Sequence, residues 1–412
     1  MAASTNMVAQ PGPEHSPSGD VPDASQPVPV VPANAGTQGS KTLGPRFRGG
    51  DDDTSNRLRT CRAIGLMSGT SLDGIDIALI ETDGCNQVVS GPALTIAYPA
   101  EFRQRLRSVL GGIGPVTAVE EELTLRHAAA VEQFLHRHPE TRIDVVGFHG
   151  HTILHRPAEG RTWQIGDGAL LARRLGIDVV GNFRTADVAA GGEGAPLAPL
   201  FHAALAAPLL KPVAVLNIGG VANVTWIGER DNILAFDTGP GNALVDDWVR
   251  LHTGAAADFD GAFARAGRVS PAHLAQFLED PFFKLAPPKS LDRNHFQQMI
   301  PEGLSLEDGA ATLTEMTAAA VAAAQRHFPT AVREWLVCRG GRRNPPLMEA
   351  LRRRLAAPVR PVEAVGWDGD ALEAQAFAYL AVRSMLGLPL SLPSTTDVSR
   401  PMPGGKLFSG SR

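Results

Sequence analysis

The sequence has few cysteines, no long apolar run and no cluster of basic residues. Its 412 residues include 3 cysteines, Cys61, Cys85 and Cys338, which lie far apart and form no CxxC pair. That scarcity argues against a disulfide framework or a structural zinc site and favours a reducing, cytoplasmic environment. No apolar run approaches the roughly 18 residues of a membrane helix, and the N-terminal stretch has no signal-peptide pattern. We therefore expect no membrane association.

An excess of one charge is also lacking. Lysine and arginine number 38 and aspartate and glutamate 43, which gives a formal net charge of -5. No basic segment alternates with aromatic residues, so nucleic-acid binding is not expected. Hydrophobic residues make up 43% of the chain, which is enough for two domains that each bury a core.

The order of the segments predicts an α/β fold. Residues 1–58 are rich in Pro, Ser, Gly and Ala, and we expect a disordered leader there. From Arg62 onward, short strands alternate with helical segments. A strand, a turn of glycine and small polar residues, and a second strand occur at 64–80 and again at 213–227. Two α/β units that each begin with such a hairpin are what a two-lobed phosphotransferase needs.

The first hairpin contains GLMSGTSLDGID, residues 65–76. Gly69 and Gly74 permit tight turns and a close approach of the backbone to a ligand. Hydroxyl and amide groups that suit an anion come from Ser68, Thr70 and Ser71. Asp73 would make sense beside a phosphate if Mg²⁺ lay between them. A plain tight hairpin explains the stretch equally well, and a Walker loop is excluded because no GK[ST] follows.

The second hairpin carries Asn217, Gly219, Gly220 and Asn223. Asparagine side chains both donate and accept hydrogen bonds, and the glycines again allow close approach. Taken alone, this segment is more typical of an ordinary glycine-rich turn.

A carboxylate, Asp237, ends an apolar strand in FDTGPGN, residues 236–242. Sheets of α/β proteins place functional side chains at strand ends, and a partly desolvated carboxylate there can act as a general base. The competing interpretation is that Asp237 only caps the turn into the next helix.

Two further segments offer polar groups for a binding cleft. GFHGHTILHRP (147–157) holds three histidines, but no acidic partner accompanies them as in HExxH, so a metal site is disfavoured. NFRTADVAAGGEGAPL (182–197) is a loop that mixes charges with glycines, and its Arg184 can hold a carboxylate by a bidentate contact.

Three segments nearer the C-terminus have two interpretations each. PPKSLDRNHF (287–296) can present Lys289 and Arg293 to an anion or be a solvated basic loop. In CRGGRRN (338–344) two glycines can let adenine or ribose lie against the backbone. Glu373 belongs to a D-x-x-E pattern that resembles a capping box at the last long helix.

Together these motifs strongly resemble the anhydro-N-acetylmuramic acid kinase family, from about residue 62 to residue 406. The family belongs to the actin, sugar kinase and Hsp70 superfamily. The resemblance implies a two-lobed, actin-like ATPase (ribonuclease H-like) fold with mixed sheets and helices on both faces. Lobe I would span residues 59–210 and lobe II residues 211–374. Residues 375–412 would form a C-terminal helix and tail that return to lobe I.

The resemblance also assigns the nucleotide site. ATP phosphates would bind the first loop, at Gly69, Thr70, Ser71, Leu72, Asp73, Gly74, Ile75 and Asp76, and Asp73 would hold Mg²⁺ through water. The second loop would contribute Asn217, Gly219, Gly220 and Asn223, and the adenosine would lie against Gly340 and Gly341.

The implied reaction hydrolyses the 1,6-anhydro bond of 1,6-anhydro-N-acetylmuramic acid and phosphorylates the released O6. By resemblance, Asp237 is the general base and Glu373 is a carboxylate near the cleft, a role weighed equally against helix capping. The sugar would meet His149, Thr152, Arg184 and Asn242. ATP, Mg²⁺ and the sugar are the implied ligands, in a cytoplasmic protein for which the scaffold permits a homodimer.

Several positions depart from the family pattern. Asn182 replaces Asp, Glu193 replaces Gln, His151 replaces Gln, and Arg339-Gly-Gly-Arg342 replaces Gly-Gly-Gly-Ala. An arginine in a glycine turn would be strained at positive φ; the alternative is that its side chain reaches phosphate or ribose. This departure motivates one alternative function, a catalytically impaired nucleotide-binding sensor. A kinase of another sugar on the same scaffold is a further alternative.

Overall fold

The computed structural model describes residues 60–69, 72–230, 232–292 and 295–410. The leader predicted for residues 1–58 lies outside them, as do Thr70, Ser71 and Arg293. Residues 57–412 group into a single unit. No helix in the described part of the chain is both long enough and apolar enough to cross a membrane.

Two β-sheets form the framework, and their strands come from separate parts of the chain. The first sheet contains β1 (Cys61–Ser68), β2 (Gly74–Thr82), β3 (Val88–Ala97), β4 (Val145–Arg156), β5 (Arg161–Ile165), β6 (Val179–Gly181) and β12 (Lys406–Phe408). The second contains β7 (Val213–Ile218), β8 (Val221–Ile227), β9 (Ile233–Pro240), β10 (Glu334–Cys338) and β11 (Val359–Pro361).

Both sheets repeat one topology. In the first, β1, β2 and β3 are antiparallel neighbours, β4 lies parallel to β1, and β6 lies parallel to β4. In the second, β7, β8 and β9 are antiparallel, β10 is parallel to β7, and β11 is parallel to β10. This repeat is the ribonuclease H-like unit of the actin-like fold, so the predicted fold class is confirmed.

Helices cover the faces of both sheets. They are α1 (Ala100–Ser108), α2 (Val116–Arg137), α3 (Gly168–Leu175), α4 (Thr185–Ala189), α5 (Pro199–Leu205), α6 (Ala243–Thr253), α7 (Ala262–Ala266), α8 (Pro271–Leu278), α9 (Leu306–Ala324), α10 (Pro345–Arg354), α11 (Leu372–Met385) and α12 (Pro393–Thr396).

The cores follow from the alternation of side chains along the strands. Ile64 of β1 packs with α1, α2 and α3 on one face of the first sheet. Its neighbour Ala63 points to the other face, into a core that holds α5 and α11 and also Val215 of the second sheet. Leu216 faces a third core, beside α9 and α10. Helix α11 therefore lies between the sheets, where each fully buried side chain such as Leu380 contributes about 1.5–3 kcal/mol.

Candidate active site

Helix α11 approaches the first sheet unusually closely because two strand residues have no side chain. A Cβ at Gly65 of β1 would lie 1.7 Å from the carbonyl oxygen of Ala374, and one at Gly147 of β4 would lie 2.1 Å from that of Phe377. Only glycine permits such contact between a strand and a helix backbone. The first turn of α11, with Glu373, is thereby brought to the ends of the strands.

The first loop joins β1 to β2. Ser68 is buried and accepts a hydrogen bond of 2.9 Å from the Tyr98 hydroxyl, and its Oγ lies 3.0 Å from Nδ1 of His151. Leu72 has a φ of 60° and its amide donates to the Gly69 carbonyl at 3.1 Å, which turns the chain tightly. Asp73 is exposed. Tyr98 and His151 thus hold Ser68 at the start of the loop, and the Asp73 carboxylate faces outward.

Two of the predicted nucleotide residues in this loop are explained by packing. The side chains of Leu72 and Ile75 are 4% and 1% exposed and belong to the core of the first sheet. Only their backbone groups are left to meet a ligand. Gly74 is required because a Cβ there would lie 2.4 Å from the Ile96 carbonyl oxygen.

The second loop is fastened by its carbonyl groups. The amide of Asn242 donates to the Gly219 carbonyl at 2.7 Å, and the amide of Gly241 donates to the Gly220 carbonyl at 2.9 Å. Asn242 also donates from its side chain to the Ile218 carbonyl at 3.2 Å. These carbonyls are therefore paired with the segment after β9, on the side of this loop that carries Asn242.

Three predicted residues form a row across the second sheet. Asn217 of β7 lies opposite Asn223 of β8, which in turn lies opposite Asp237 of β9. Residues directly opposite each other on neighbouring strands project from the same face. The structure therefore brings the amides of the second loop together with the predicted general base.

Asp237 sits in a setting that disfavours its charge. It is 8% exposed, and one carboxylate oxygen accepts a 2.8 Å hydrogen bond from the Leu291 amide. Burial raises the pKa of Asp237 to about 7, the Leu291 amide opposes this, and the Glu193 carboxylate adds to it. A carboxylate that titrates near neutral pH is suited to accept a proton. Asp237 does not cap the following helix, because α6 starts at Ala243 with Asn242 at its N-cap.

The half-buried Arg184 and the buried His149 form a pair on the substrate side. Nε of Arg184 donates to Nε2 of His149 at 3.1 Å, and its Nη1 donates to the Gly194 carbonyl at 2.7 Å. Nδ1 of His149 lies 2.9 Å from the Gly150 carbonyl, so it carries the proton and the ring is neutral. Burial, with Arg184 adding to it, holds the pKa of His149 well below its usual value. Thr152 accepts from Gln164 at 3.2 Å.

Glu373 joins the two sheets instead of capping its own helix. Helix α11 begins at Leu372 without a side-chain cap, so the capping-box interpretation is wrong. One carboxylate oxygen of Glu373 accepts a hydrogen bond from the side-chain amide of Asn217 at 2.9 Å. The other lies 3.2 Å from Arg339, whose guanidinium is also 3.2 Å from Asp76.

Lys289 does not face an open anion site. It is 7% exposed, donates to the Phe282 carbonyl at 2.8 Å and lies 4.3 Å from the centre of the Phe282 ring. Burial lowers its pKa to about 8. Both interpretations of this residue, an anion contact and a solvated charge, are wrong because the side chain is buried against the protein itself.

The two glycines predicted for adenosine differ. Gly341 is buried, and a Cβ there would lie 2.5 Å from Cβ of Ile218, so packing alone requires glycine. Gly340 is exposed, and a Cβ there would come no nearer than 3.4 Å to the side chain of Asn242. Gly340 and Asn242 are thus neighbours, which puts Asn242 beside the predicted nucleotide residues.

Sequence reasoning missed the groups that surround Asp237. The Leu291 amide comes from the 287–296 loop, and Glu193, which accepts a hydrogen bond from Ser290, comes from the 182–197 loop. Both loops were singled out for their charged residues, but nothing in the sequence indicated that they meet at β9.

The described residues fit Mg²⁺ only as a partner of bound phosphate. Within the described ranges, no group of three or more His, Cys, Asp or Glu side chains is arranged to hold a metal ion. Mg²⁺ in nucleotide sites commonly takes one or two carboxylates, phosphate oxygens and several waters. The exposed Asp73 satisfies that requirement without a protein cage.

Comparisons with known proteins agree with this geometry. The family profile of anhydro-N-acetylmuramic acid kinase matches residues 61–410. Curated proteins of that name include one from Paramagnetospirillum magneticum, 58% identical over 84% of this chain and 98% of the relative. Others come from Acidiphilium cryptum, 57% identical over 84% and 97%, and Rhodospirillum rubrum, 56% identical over 83% and 93%. The chain therefore belongs to the anhydro-N-acetylmuramic acid kinase family.

Proposed function

We propose that this chain is an ATP-dependent kinase that opens 1,6-anhydro-N-acetylmuramic acid with water and phosphorylates its O6. The products are N-acetylmuramate 6-phosphate and ADP, as peptidoglycan recycling and amino-sugar metabolism require. Asp237 carries the proposal, because it is a buried carboxylate with a pKa of about 7 in line with Asn217 and Asn223. Proton abstraction from water near neutral pH needs such a group.

The chemistry balances with one base and one nucleotide. Asp237 takes a proton from a water molecule as the oxygen of that water attacks C1 of the sugar. The electrons of the C1–O6 bond pass to O6, which attacks the γ-phosphorus of ATP, and ADP leaves. Because the phosphoryl group receives the alkoxide, no general acid is needed at O6. When bound, Mg²⁺ would neutralise phosphate charge, with Asp73 as its carboxylate neighbour.

The two loops provide the proposed phosphate contacts. In the second loop the carbonyls of Gly219 and Gly220 are engaged by Asn242 and Gly241. Because the Gly219 amide already donates to the Val221 carbonyl at 3.2 Å, the Gly220 amide and the Asn223 side chain are the proposed donors to an anion. In the first loop Gly69, Gly74 and the amides between them would play the matching part, with Gly340 near the adenosine.

Arg184 is the proposed partner of the lactyl carboxylate of the sugar. Burial lowers its pKa to about 10, so it remains charged at neutral pH. His149 accepts from Nε and the Gly194 carbonyl accepts from Nη1, which fixes the plane of the guanidinium. A fixed guanidinium recognises a planar carboxylate well. Thr152 and Asn242 remain candidates for hydroxyl or amide contacts.

We also propose lobe limits at residues 59–210, 211–374 and 375–412, a cytoplasmic location and a homodimer. The strands of the two sheets and the packing of α11 on the first sheet support the lobe limits.

A direct assay tests the proposal. The protein is incubated with MgATP and 1,6-anhydro-N-acetylmuramic acid, and ADP, free phosphate and sugar phosphate are measured together. Equal amounts of ADP and sugar 6-phosphate, with little free phosphate, are expected because bond opening and phosphoryl transfer are coupled. MgADP binding without any product would favour the nucleotide sensor, and product from other sugars alone would favour a different kinase.

A further inference from the structure

Arg339 has a backbone conformation that arginine rarely adopts. It directly follows β10, with a φ of 62° and a ψ of -166°. That region is populated almost only by glycine, because a Cβ there crowds the backbone. A residue held in such a conformation points to a role for its side chain, since glycine would occupy the position without strain.

The surrounding structure enforces this conformation. The Arg339 amide donates to the Gly369 carbonyl at 3.2 Å. Its carbonyl accepts from the amide of Arg342 at 3.2 Å and from the guanidinium of the same residue at 2.9 Å. The Arg342 side chain is 6% exposed and is held by Glu363 at 2.7 Å and Asp370 at 3.0 Å. The turn is thus fixed on both sides of Arg339.

The side chain of Arg339 reaches two carboxylates from different elements. Its guanidinium lies 3.2 Å from Asp76 on β2 and 3.2 Å from Glu373 on α11, and it is 18% exposed. Glu373 raises the pKa of Arg339 most, and Asp76 adds to the effect. The cation is therefore firmly bound where two negative charges converge.

These contacts form a chain between the two predicted phosphate loops. Asp76 is on β2, just after the first loop, and accepts a hydrogen bond from the Thr95 hydroxyl at 2.8 Å. Arg339 connects Asp76 to Glu373, and Glu373 accepts from Asn217 of the second loop. A guanidinium suits this task because its fork of donors engages two acceptors at once.

The local charge shows why a cation is needed there. Asp76 and Asp368 line one cavity of about 200 Å³ together with Asp370, which Arg342 already pairs, and Glu373 is close by. Burial raises the pKa of Asp76, which shows that its charge is already poorly solvated. A nucleotide would add several negative charges next to this group.

We propose that Arg339 is a positioning residue of the kinase, which fixes Asp76 and Glu373 so that both phosphate loops keep their spacing, and which offsets their charge beside the nucleotide. The inference rests on the proposed nucleotide site. In this proposal Arg339 supports nucleotide binding through the two carboxylates, and not by direct contact of its side chain with phosphate or ribose.

Arg339→Gly is the main test variant. The KM for MgATP and the Kd for MgADP are expected to rise about tenfold, because two carboxylates lose their counter-ion. Raising NaCl from about 50 to about 300 mM should then lower the KM of the variant, since salt screens the repulsion. The wild-type KM should change little or rise. Arg339→Lys should recover part of the affinity, because it restores the charge but not the fork.

Two further variants separate the effects. Arg339→Ala removes the guanidinium but keeps a Cβ in the glycine region, so it should match Arg339→Gly in nucleotide affinity and melt several degrees lower. Arg174→Ala is the control for net charge, because Arg174 on α3 has a 57% exposed side chain and pairs with Glu132 of α2, and the variant should bind MgADP like the wild type.

MgADP affinity and its salt dependence are measured without sugar, so they remain informative if the sugar reaction itself fails. Wild-type affinity and salt dependence in Arg339→Gly would overturn the inference. So would an activity loss in that variant with unchanged MgADP affinity, because Arg339 would then act on the reaction directly. Weaker MgADP binding that salt relieves, with partial rescue by lysine, would support it.

Discussion

Two groups of carboxylates in the candidate site have different partners, although burial raises the pKa of both Asp237 and Asp76. Asp237 is buried and held by the backbone amide of Leu291, and its pKa is raised to about 7. Asp76 and Glu373 share the guanidinium of Arg339. An amide dipole offsets a buried charge only in part, whereas an ion pair stabilises it directly.

The environment of each carboxylate, and not its residue type, therefore determines its role in the site. A carboxylate that is nearly indifferent to protonation at pH 7 can exchange a proton during a reaction. A pair held by a guanidinium keeps its position, which suits alignment of loops.

Asp237→Asn removes the proton acceptor while preserving the shape of the side chain. The kcat is expected to fall about 10³-fold or more, because general-base catalysis typically contributes 10² to 10⁴. Steady-state kinetics with MgATP and the anhydro-sugar measure this. MgADP affinity is the internal control and should stay within a factor of a few. A variant with full activity would remove Asp237 from the mechanism.

The same variant should be more stable than the wild type at alkaline pH. A carboxyl whose folded-state pKa is raised destabilises the fold only when it must ionise. The cost is absent below its ordinary pKa of 3.8, grows as pH rises and is complete above about pH 7. The gap between those values corresponds to about 4 kcal/mol.

Melting temperatures of the wild type and Asp237→Asn at pH 5 and pH 8 measure this effect. The variant should melt higher at both, with the larger difference at pH 8. Equal differences at the two pH values would show that Asp237 does not carry the raised pKa.

Glu373→Gln weakens the other side of the comparison. Glutamine still accepts from Asn217, but Arg339 then has one carboxylate fewer. We expect kcat/KM for MgATP to fall about 10- to 100-fold, since one charge of the ion pair with Arg339 is lost. The acid limb of the pH profile should remain where Asp237 sets it. A displaced limb would instead make Glu373 a proton-transfer group.

Glu193→Gln should produce the smallest effect. The Glu193 carboxylate raises the pKa of Asp237, so its removal should lower that pKa. Because the base must be deprotonated, the acid limb of kcat/KM should move to lower pH, by up to about one unit. The matched control is Glu159→Gln, since Glu159 is an exposed carboxylate paired with Arg156. An unchanged position of the acid limb would mean that the Glu193 charge does not raise the pKa of Asp237.

The sequence predicted the parts of the site that depend on local pattern. Hairpins with glycine and asparagine turns, and a carboxylate at the end of an apolar strand, are readable because strand and turn preferences are local. The N-cap of α10 is equally local: the Asn344 side chain accepts from the Leu347 amide at 3.1 Å. The repeated hairpin likewise anticipated the repeated sheet topology.

Other parts depend on contacts between distant segments. Glu193, Asp237 and Leu291 meet because two loops cross the end of β9. The choice of Glu373 between helix cap and cleft was decided by Asn217 and Arg339, which lie far from it in sequence. Lys289 is buried with its ammonium group over the Phe282 ring, which its charged sequence context does not indicate.

The position of α11 between the two sheets has a consequence for hydrogen exchange. From Leu372 to Val382 nearly every side chain is buried, and Gly65 and Gly147 bring the helix backbone against the strands. Amides in such a place meet solvent only when the whole unit opens. Their exchange rates should therefore report global unfolding, whereas amides of the largely exposed β3 should report local fraying.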